Sequence, residues 1–256
     1  MPARAKLISL RQRQSPRLTP PMRKRGSKLG QVAPHTRRIS KAHGYTTTTR
    51  DRFLAAATSK FAAKGYDGAR IDEIVQRCNI NKNLLYYYFG SKERLFIQVL
   101  EAAYQAIQQR QAAVSLAGLE PAEGMHKLIR ELFRDFAEVP EFISLLNSEN
   151  LHKACHLKKS ERVRAMYPPM VHKINELLER GRPSGEFRSD VDAVDLYIAI
   201  FGLSYHAPAN QYTLSVLFDL DFSEPAQLEH HISRIADMVL SYLRCRAFRW
   251  RLQIQW

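Results

Sequence analysis

The residues from Asn81 to Lys92 concentrate side chains that can hydrogen-bond to a nucleic acid. Lys82 and Asn83 follow a potential helix-capping asparagine, and Tyr86-Tyr87-Tyr88 come next. Lysine and tyrosine can contact phosphate oxygens, and asparagine can pair with adenine through two hydrogen bonds. The sequence carries no nucleophile elbow, glycine-rich phosphate loop, zinc-binding helix or paired-cysteine motif. We therefore expect binding chemistry, with no catalytic residue, metal or cofactor.

Two short predicted helices position these side chains. Apolar spacing indicates a helix over 71–78, and Asn79 suits the left-handed conformation that follows a helix. Asn81 is a good N-cap for a second helix over 82–88. Two short helices joined by a tight turn have the dimensions of a helix-turn-helix, whose second helix enters the major groove.

The rest of the folded sequence also reads as helices, with no alternating strand pattern. The other predicted helices are 48–64, which Gly65 ends, 92–116, 121–138, 141–153, 159–180 with a bend at Pro168-Pro169, 190–206, 211–218 and 224–245. The predicted fold class is therefore all-α, with about nine or ten helices.

Three strings of residues together resemble one known family. They are Phe61-Ala62-Ala63-Lys64-Gly65-Tyr66, Ile71-Asp72-Glu73-Ile74-Val75 and Leu85-Tyr86-Tyr87-Tyr88-Phe89-Gly90-Ser91-Lys92-Glu93. This ungapped stretch is similar to the N-terminal domain of the tetracycline-repressor (TetR) family. The resemblance implies a homodimer that binds double-stranded DNA through an N-terminal three-helix domain. It also implies a C-terminal helical domain that binds a small-molecule effector.

Carried over position by position, the resemblance assigns DNA-binding roles to seven residues. Those facing the groove are Lys82, Asn83, Leu84 and Tyr87, those at phosphates are Tyr86 and Lys92, and Arg70 lies beside the DNA backbone. Arg70, Asn79 and Asn83-Leu84 depart from the family's usual Ser/Thr cap, turn glycine and small residues. For Lys82, Arg70, Tyr86 and Tyr87 an ordinary surface role is the alternative. Leu85, Phe89 and Tyr88 are expected to be core.

Charge divides the chain in the same way. Residues 1–45 carry twelve basic and no acidic side chains, 46–107 carry nine and six, and 108–243 carry fourteen and nineteen. We therefore predict a disordered basic tail (1–45), a DNA-binding domain (46–107), an effector-binding and dimerisation domain (108–245) and a short tail (246–256). Three readings of the first tail stay open: a phosphate-binding arm, a start site set too far upstream with Met22 as the internal candidate, or an organellar presequence.

Apolar spacing in two late helices predicts a dimer interface. Residues that recur every three or four positions are Val194, Ile198, Phe201 and Tyr205 in one, and Leu228, Ile232, Ile235, Val239 and Tyr242 in the other. Such an apolar stripe, or seam, is typical of a helix that packs against a partner helix. The alternative is that both helices line the monomer's own core.

An apolar effector cavity is predicted less clearly. Its candidates are Phe133, Phe136, Phe142, Met166, Met170 and Tyr197, although for any one of them plain core is the preferred interpretation. His152, Cys155 and His156 have a spacing that could converge on a metal from one helix, although an exposed polar helix end is the preferred interpretation.

Three functions compete for this sequence. The first is a ligand-released repressor on an inverted-repeat operator, the second a non-specific DNA-coating protein, and the third an enzyme in the C-terminal half. The three separated cysteines fit a reducing compartment, and no apolar run is long enough to span a bilayer. We therefore expect a cytoplasmic, nucleoid-associated protein without a membrane partner.

Overall fold

The computed structural model of the chain describes residues 48–166, 168–222 and 224–244. The helices are α1 (Thr49–Gly68), α2 (Ile71–Cys78), α3 (Lys82–Phe89), α4 (Lys92–Ala113), α5 (Pro121–Glu138), α6 (Pro140–Leu151), α7 (Glu161–Arg164), α8 (Pro169–Gly181), α9 (Ala193–Ala209), α10 (Gln211–Phe218) and α11 (Pro225–Arg244). No strand occurs in these ranges, and the all-α prediction is confirmed. The predicted tails, 1–45 and 246–256, lie outside the described residues.

None of the described helices is both long and apolar enough to cross a membrane.

Helices α1 to α3 and the first part of α4 form a small domain, residues 48–100, which we call the head. Its core is made of aromatic and aliphatic side chains: Phe53, Phe61, Ile74, Leu85, Phe89, Leu95, Phe96, Val99 and Leu100. Burying each large side chain of this kind stabilises the fold by about 1.5–3 kcal/mol. Leu145 of α6 packs into the same cluster, so the head is joined to the rest of the chain through its core.

Local signals set the boundaries of the head's helices. Thr48 accepts from the Asp51 backbone N–H and Asp51 reaches back to Thr48, a capping box that starts α1. Gly65 interrupts α1 with a φ of 68°, at the position where the sequence predicts a stop. Asn79 takes the left-handed conformation (φ 53°), and Ser91 caps α4.

The distal half, residues 101–244, is built around α5, α8, α9 and α11. Its main core includes Met125, Ile129, Ile174 and Leu177, all nearly or fully buried. Gly124 permits the close approach of α5 and α8, because a Cβ there would lie 2.6 Å from a methyl carbon of Leu177.

The prediction of one continuous helix over 159–180 is wrong. The described residues form two helices, the four-residue α7 and then α8, with Pro168 in an extended conformation (φ −61°, ψ 121°). The residue before a proline is pushed out of the α region, and here Pro169 follows Pro168. The two prolines therefore separate two helices instead of bending one.

Candidate nucleic-acid interface

The helix predicted to read DNA, α3, has one buried face and one exposed face. Leu85 and Phe89 are 0% and 2% exposed and fix α3 against the head, as predicted. Tyr87 is 81% exposed, and Tyr86 lies beside it at 41%. Tyr88 was expected to be core, which is wrong: it is 39% exposed and packs edge-on against Tyr87, with ring centroids 5.5 Å apart. The turn of α3 that faces solvent is therefore almost entirely aromatic.

The N-terminus of α3 carries the polar candidates. The Asn81 side chain accepts from the Asn83 backbone N–H at 2.8 Å and caps the helix, which leaves the Asn83 side chain on the exposed surface. Lys82 Nζ donates to the Asp72 carboxylate of α2 at 2.7 Å. This hydrogen bond raises the pKa of Lys82 and lowers that of Asp72. Because both side chains are exposed, the pair is weak enough for a phosphate to replace the carboxylate.

Leu84 is a less suitable reading residue than the resemblance implies. Its side chain is half-buried and packs against the head core. Only part of it remains available for contact with a thymine methyl group. Arg70, in contrast, is fully on the surface at the N-cap position of α2, where it makes no side-chain capping bond.

Lys92 stands at the first position of α4, and its surroundings orient it. Its ammonium lies 4.8 Å from the Tyr66 ring centroid and donates to the Asp67 carbonyl oxygen at 3.3 Å. The free N–H groups of a helix N-terminus attract a phosphate to the same place. The geometry suits a cation held ready for a DNA backbone.

Two arginines near the start of α1 were not singled out from the sequence. Arg50 lies over the Phe89 ring, 5.6 Å from its centroid, and also bonds Gln98. Arg52 donates to the Cys78 carbonyl oxygen at 2.7 Å, which places it beside α2. Their sequence signal was only the net positive charge of the segment, which does not reveal on which face a cation lies.

A cavity of about 120 Å³ opens beside the far part of α4. Three of the six predicted cavity residues line it: Phe142, Met166 and Tyr197. The other three do not. Phe133 and Met170 belong to the main distal core, because they point between α5, α8 and their neighbours. Phe136 packs in a separate cluster and borders a different depression.

The residues that sequence reasoning missed in this cavity come from α4 itself. Tyr104, Ile107, Gln108 and Gln111 recur at helical spacing and face the cavity. Nothing in their types distinguishes them from an ordinary half-buried helix face. Their role becomes visible only when the opposite wall, from α6 and α9, is in place.

A buried polar network adjoins the cavity. Gln111 is 3% exposed and donates to the Asp135 carboxylate at 3.3 Å. Arg110 bonds Asp135 at 2.8 Å and Glu138 at 2.7 Å. Burial raises the pKa of the Asp135 carboxyl in spite of these partners. Burial likewise raises the pKa of the Tyr197 hydroxyl to about 12, so it is a neutral donor at physiological pH.

The predicted dimer residues divide into two groups. Ile232, Ile235 and Val239 are 0–5% exposed in the subunit's own core, so their assignment to a partner-facing seam is wrong. Leu228, Phe201 and Tyr205 are half-buried against their own subunit.

The second group stays available at the surface. Val194 and Ile198 of α9 are 42% and 60% exposed, and Tyr242 of α11 is 48% exposed. Tyr242, Leu203 and Met238 border a groove of about 340 Å³ between α9 and α11, which Asp190, Asp192 and Asp195 also line.

The histidine and cysteine trio does not lie on one helix. Helix α6 ends at Leu151, and Lys153 and Ala154 adopt positive φ values, so the predicted extension of the helix to 153 and beyond is wrong. The side chains of this segment serve the join between head and distal half instead. His152 bonds the Asp67 carboxylate of the head at 2.9 Å. The buried Glu149 carboxylate bonds His156 at 2.8 Å, and the His156 ring packs against Tyr66 of the head with centroids 4.4 Å apart.

Known proteins match both halves of the chain. Residues 53–99 match the family model for bacterial regulatory proteins of the tetR family, and residues 121–239 match the tetracyclin repressor-like C-terminal domain. The HTH-type transcriptional repressor NicS of Pseudomonas putida is 34% identical over 196 residues, 77% of this chain and 92% of NicS. The HTH-type transcriptional regulator LmrA of Bacillus subtilis is 33% identical over 119 residues, 42% of this chain and 63% of LmrA. A structure from Streptomyces coelicolor described as a transcriptional regulator superposes with a TM-score of 0.58 at 25% identity, over 75% of this chain and 98% of that one.

Proposed function

This chain belongs to the tetracycline-repressor (TetR) family and is a DNA-binding transcriptional regulator, and from that premise we propose how it works. It is a repressor that binds an inverted-repeat operator as a homodimer and leaves it when a small molecule enters the cavity beside α4. Tyr87, Asn83 and Lys82 contact base edges, and Tyr86, Lys92 and Arg70 contact the backbone. Its relatives are regulators, and we propose no catalytic role.

The observation that carries this proposal is that α4 borders both the DNA-binding surface and the cavity. The helix has 22 residues and is therefore about 33 Å long. Lys92 stands at its first position, beside the recognition helix, and Tyr104 to Gln111 border the cavity near its other end. A compound that displaces the cavity-facing turns moves the same helix that carries a phosphate contact. Operator affinity and cavity occupancy are then coupled, and the coupling is reciprocal.

Dimerisation is supported by the apolar surface that α9 and α11 leave exposed. Val194 and Ile198 of α9 and Tyr242 of α11 are large apolar side chains exposed at the surface, and exposed apolar groups of this kind are typical of an interaction site. A two-fold dimer would present two copies of α3 about 34 Å apart, or a multiple of it, and so match the two halves of an inverted repeat. A protein that binds chromosomal DNA would lie in the cytoplasm, on the nucleoid.

The experiment that tests this function selects bound sequences from a random duplex pool and then measures affinity for the winner and for random DNA. We expect the selected sequence to be palindromic and the protein to bind it at least about a thousandfold more tightly than random duplex. Tyr87→Ala should weaken operator binding far more than random-DNA binding, because its ring is the most exposed on α3. Tyr212→Ala, on α10 and 80% exposed, is the matched control and should change neither affinity. Equal affinity for every duplex would instead indicate a DNA-coating protein.

A further inference from the structure

We propose that the cavity beside α4 takes an uncharged compound with a single aromatic ring and one polar substituent, the class to which phenols belong. This inference rests on the proposed release mechanism and names the ligand that acts in it.

The size of the cavity sets the size of the ligand. Its volume is about 120 Å³. Pockets for drug-sized ligands measure roughly 300–1,000 Å³, whereas an apolar cavity of about 150 Å³ holds benzene. One six-membered ring therefore fits, and a fused pair of rings does not fit without rearrangement of the walls.

The walls of the cavity select a flat, polarisable occupant. Tyr104 and Phe142 meet edge to face, with ring centroids 5.3 Å apart and planes at 78°. Tyr197 and Phe201 form a second aromatic pair, with centroids 5.8 Å apart. All four rings border the cavity. Aromatic pairs prefer edge-to-face and offset geometries, so a ligand ring among four such faces gains contacts that an aliphatic chain of equal volume does not.

Two hydroxyls in these walls favour a polar substituent on the ligand. They belong to Tyr104 and Tyr197, whereas the Gln111 amide already donates to Asp135. A purely apolar ligand would separate the two hydroxyls from water without replacing the lost hydrogen bonds, which costs free energy. A hydroxyl or amine on the ring can both donate and accept there.

The electrostatics of the cavity disfavour an anion. None of the described residues lining it carries a formal charge, so an ionised ligand would lack a counter-charge after losing its water. Two carboxylates act on the ring hydroxyls. Burial and then the charge of Glu149 raise the pKa of Tyr104, and Asp135 adds to the effect of burial on the pKa of Tyr197. A carboxylate-bearing ring would meet the same repulsion.

Titration calorimetry on the full chain tests the class with four probes: phenol, toluene, benzoate and 2-naphthol. At neutral pH phenol is uncharged and benzoate is an anion. We expect phenol to bind at least about tenfold more tightly than each of the other three, because a lost hydrogen bond, an unpaired charge or excess volume each costs at least that factor. Benzoate or 2-naphthol binding as tightly as phenol would overturn the proposal.

A volume-filling variant locates the binding. Val163 is half-buried at the edge of the cavity, and Val163→Phe should occupy the space and weaken phenol binding at least about tenfold. Val216→Phe makes the same change on α10, where Val216 is 84% exposed, and should leave phenol binding intact. Tyr197→Phe is the second variant, and it serves alone if Val163→Phe fails to fold by circular dichroism. Tyr197→Phe keeps the ring and should narrow the preference for phenol over toluene.

The selected operator separates this inference from the proposed function. Specific operator binding together with no binding of phenol would overturn the ligand class and leave the regulator intact. Phenol binding that does not lower operator affinity would uphold the ligand class and overturn release. Unchanged phenol binding in both Val163→Phe and Tyr197→Phe would show that the ring binds elsewhere, and would overturn the site.

Discussion

The two ends of α4 are packed in different ways. In the head, Leu95, Phe96, Val99 and Leu100 are 0–1% exposed and pack in the apolar core, where Phe96 also meets the His156 ring edge to face. Farther along, the residues from Tyr104 to Gln111 border a cavity and a buried network of polar side chains. One helix therefore has a filled end and an open end. The filled end keeps the DNA-reading surface in one arrangement, and the open end has room for a second arrangement.

This difference follows from how protein interiors are packed. A close-packed apolar core resists deformation, because any shift opens voids or forces overlaps. A cavity lacks atoms on one side, so its walls forgo dispersion contacts that a ligand can restore. Mutations in the head end of α4 should therefore mainly lower stability. Mutations in its distal end should mainly change the response to ligand.

The largest expected effect is the loss of a ring from the filled end. Phe96→Ala removes a fully buried side chain and should lower the free energy of unfolding by about 3–5 kcal/mol, from transfer and cavity terms together. Urea denaturation measures it. Phe218→Ala on α10, where the ring is 64% exposed, is the control and should cost far less. Equal losses in the two variants would mean that the head is not the rigid end.

The next effect concerns the join between head and distal half. The buried Glu149 carboxylate accepts hydrogen bonds from the backbone N–H groups of His156 and Leu157 and from His156 Nδ1. Glu149→Gln keeps the shape but offers an amide N–H where the histidine needs an acceptor. We expect a loss of about 1–3 kcal/mol in the free energy of unfolding.

Glu141→Gln, an exposed glutamate on the same helix, is the matched control and should be neutral within about 0.5 kcal/mol. A neutral Glu149→Gln would show that this carboxylate does not hold the join.

The sequence predicts the filled end far better than the open end. Gly65, Asn79, Asn81 and Ser91 each act on their own neighbours, so a stop, a turn and two caps are legible without any tertiary information. The buried roles of Leu85 and Phe89 follow from the same local register.

The distal half depends on contacts between residues far apart in the chain. The spacing of Ile232, Ile235 and Val239 correctly indicates a covered face, but periodicity cannot tell whether a partner or the chain itself covers it. The cavity forms only where α4 meets α6 and α9, so Gln111 carries no local signal of its role. Only the arrangement in space distinguishes core from cavity wall.

A third prediction sharpens the comparison at the DNA end. Lys92→Gln should weaken binding to operator and random duplex alike, because a phosphate contact carries no sequence information. The slope of log affinity against log salt should flatten by about one unit, measured by fluorescence anisotropy at several salt concentrations. Lys127→Gln removes a cation on α5 in the distal half and should leave the slope unchanged. An unaltered slope in Lys92→Gln would show that this lysine does not contact the DNA backbone.

The smallest expected effect is a pH dependence of the join. The protonated His152 imidazole donates from Nδ1 to the Ser148 carbonyl and from Nε2 to the Asp67 carboxylate. These two bonds, with the charges of Asp67 and Glu149, raise the pKa of the imidazole above the ordinary 6.5. A raised pKa in the folded state means that folding binds the proton more tightly. The added stability is therefore fully present below about pH 6.5 and is lost as the pH rises through the higher folded value.

Urea denaturation of the wild type and of His152→Gln across this range should show a stability difference that shrinks as the pH rises. The effect is small because Asp67 is 81% exposed, and salt should reduce it further. Asp67→Asn should remove part of the pH dependence. The remaining part is due to the hydrogen bond to the Ser148 carbonyl and to the charge of Glu149. A difference that grows with pH would contradict the protonated contact. Lys92 donates to the backbone carbonyl of the same Asp67, so the join and the DNA end of α4 lie side by side.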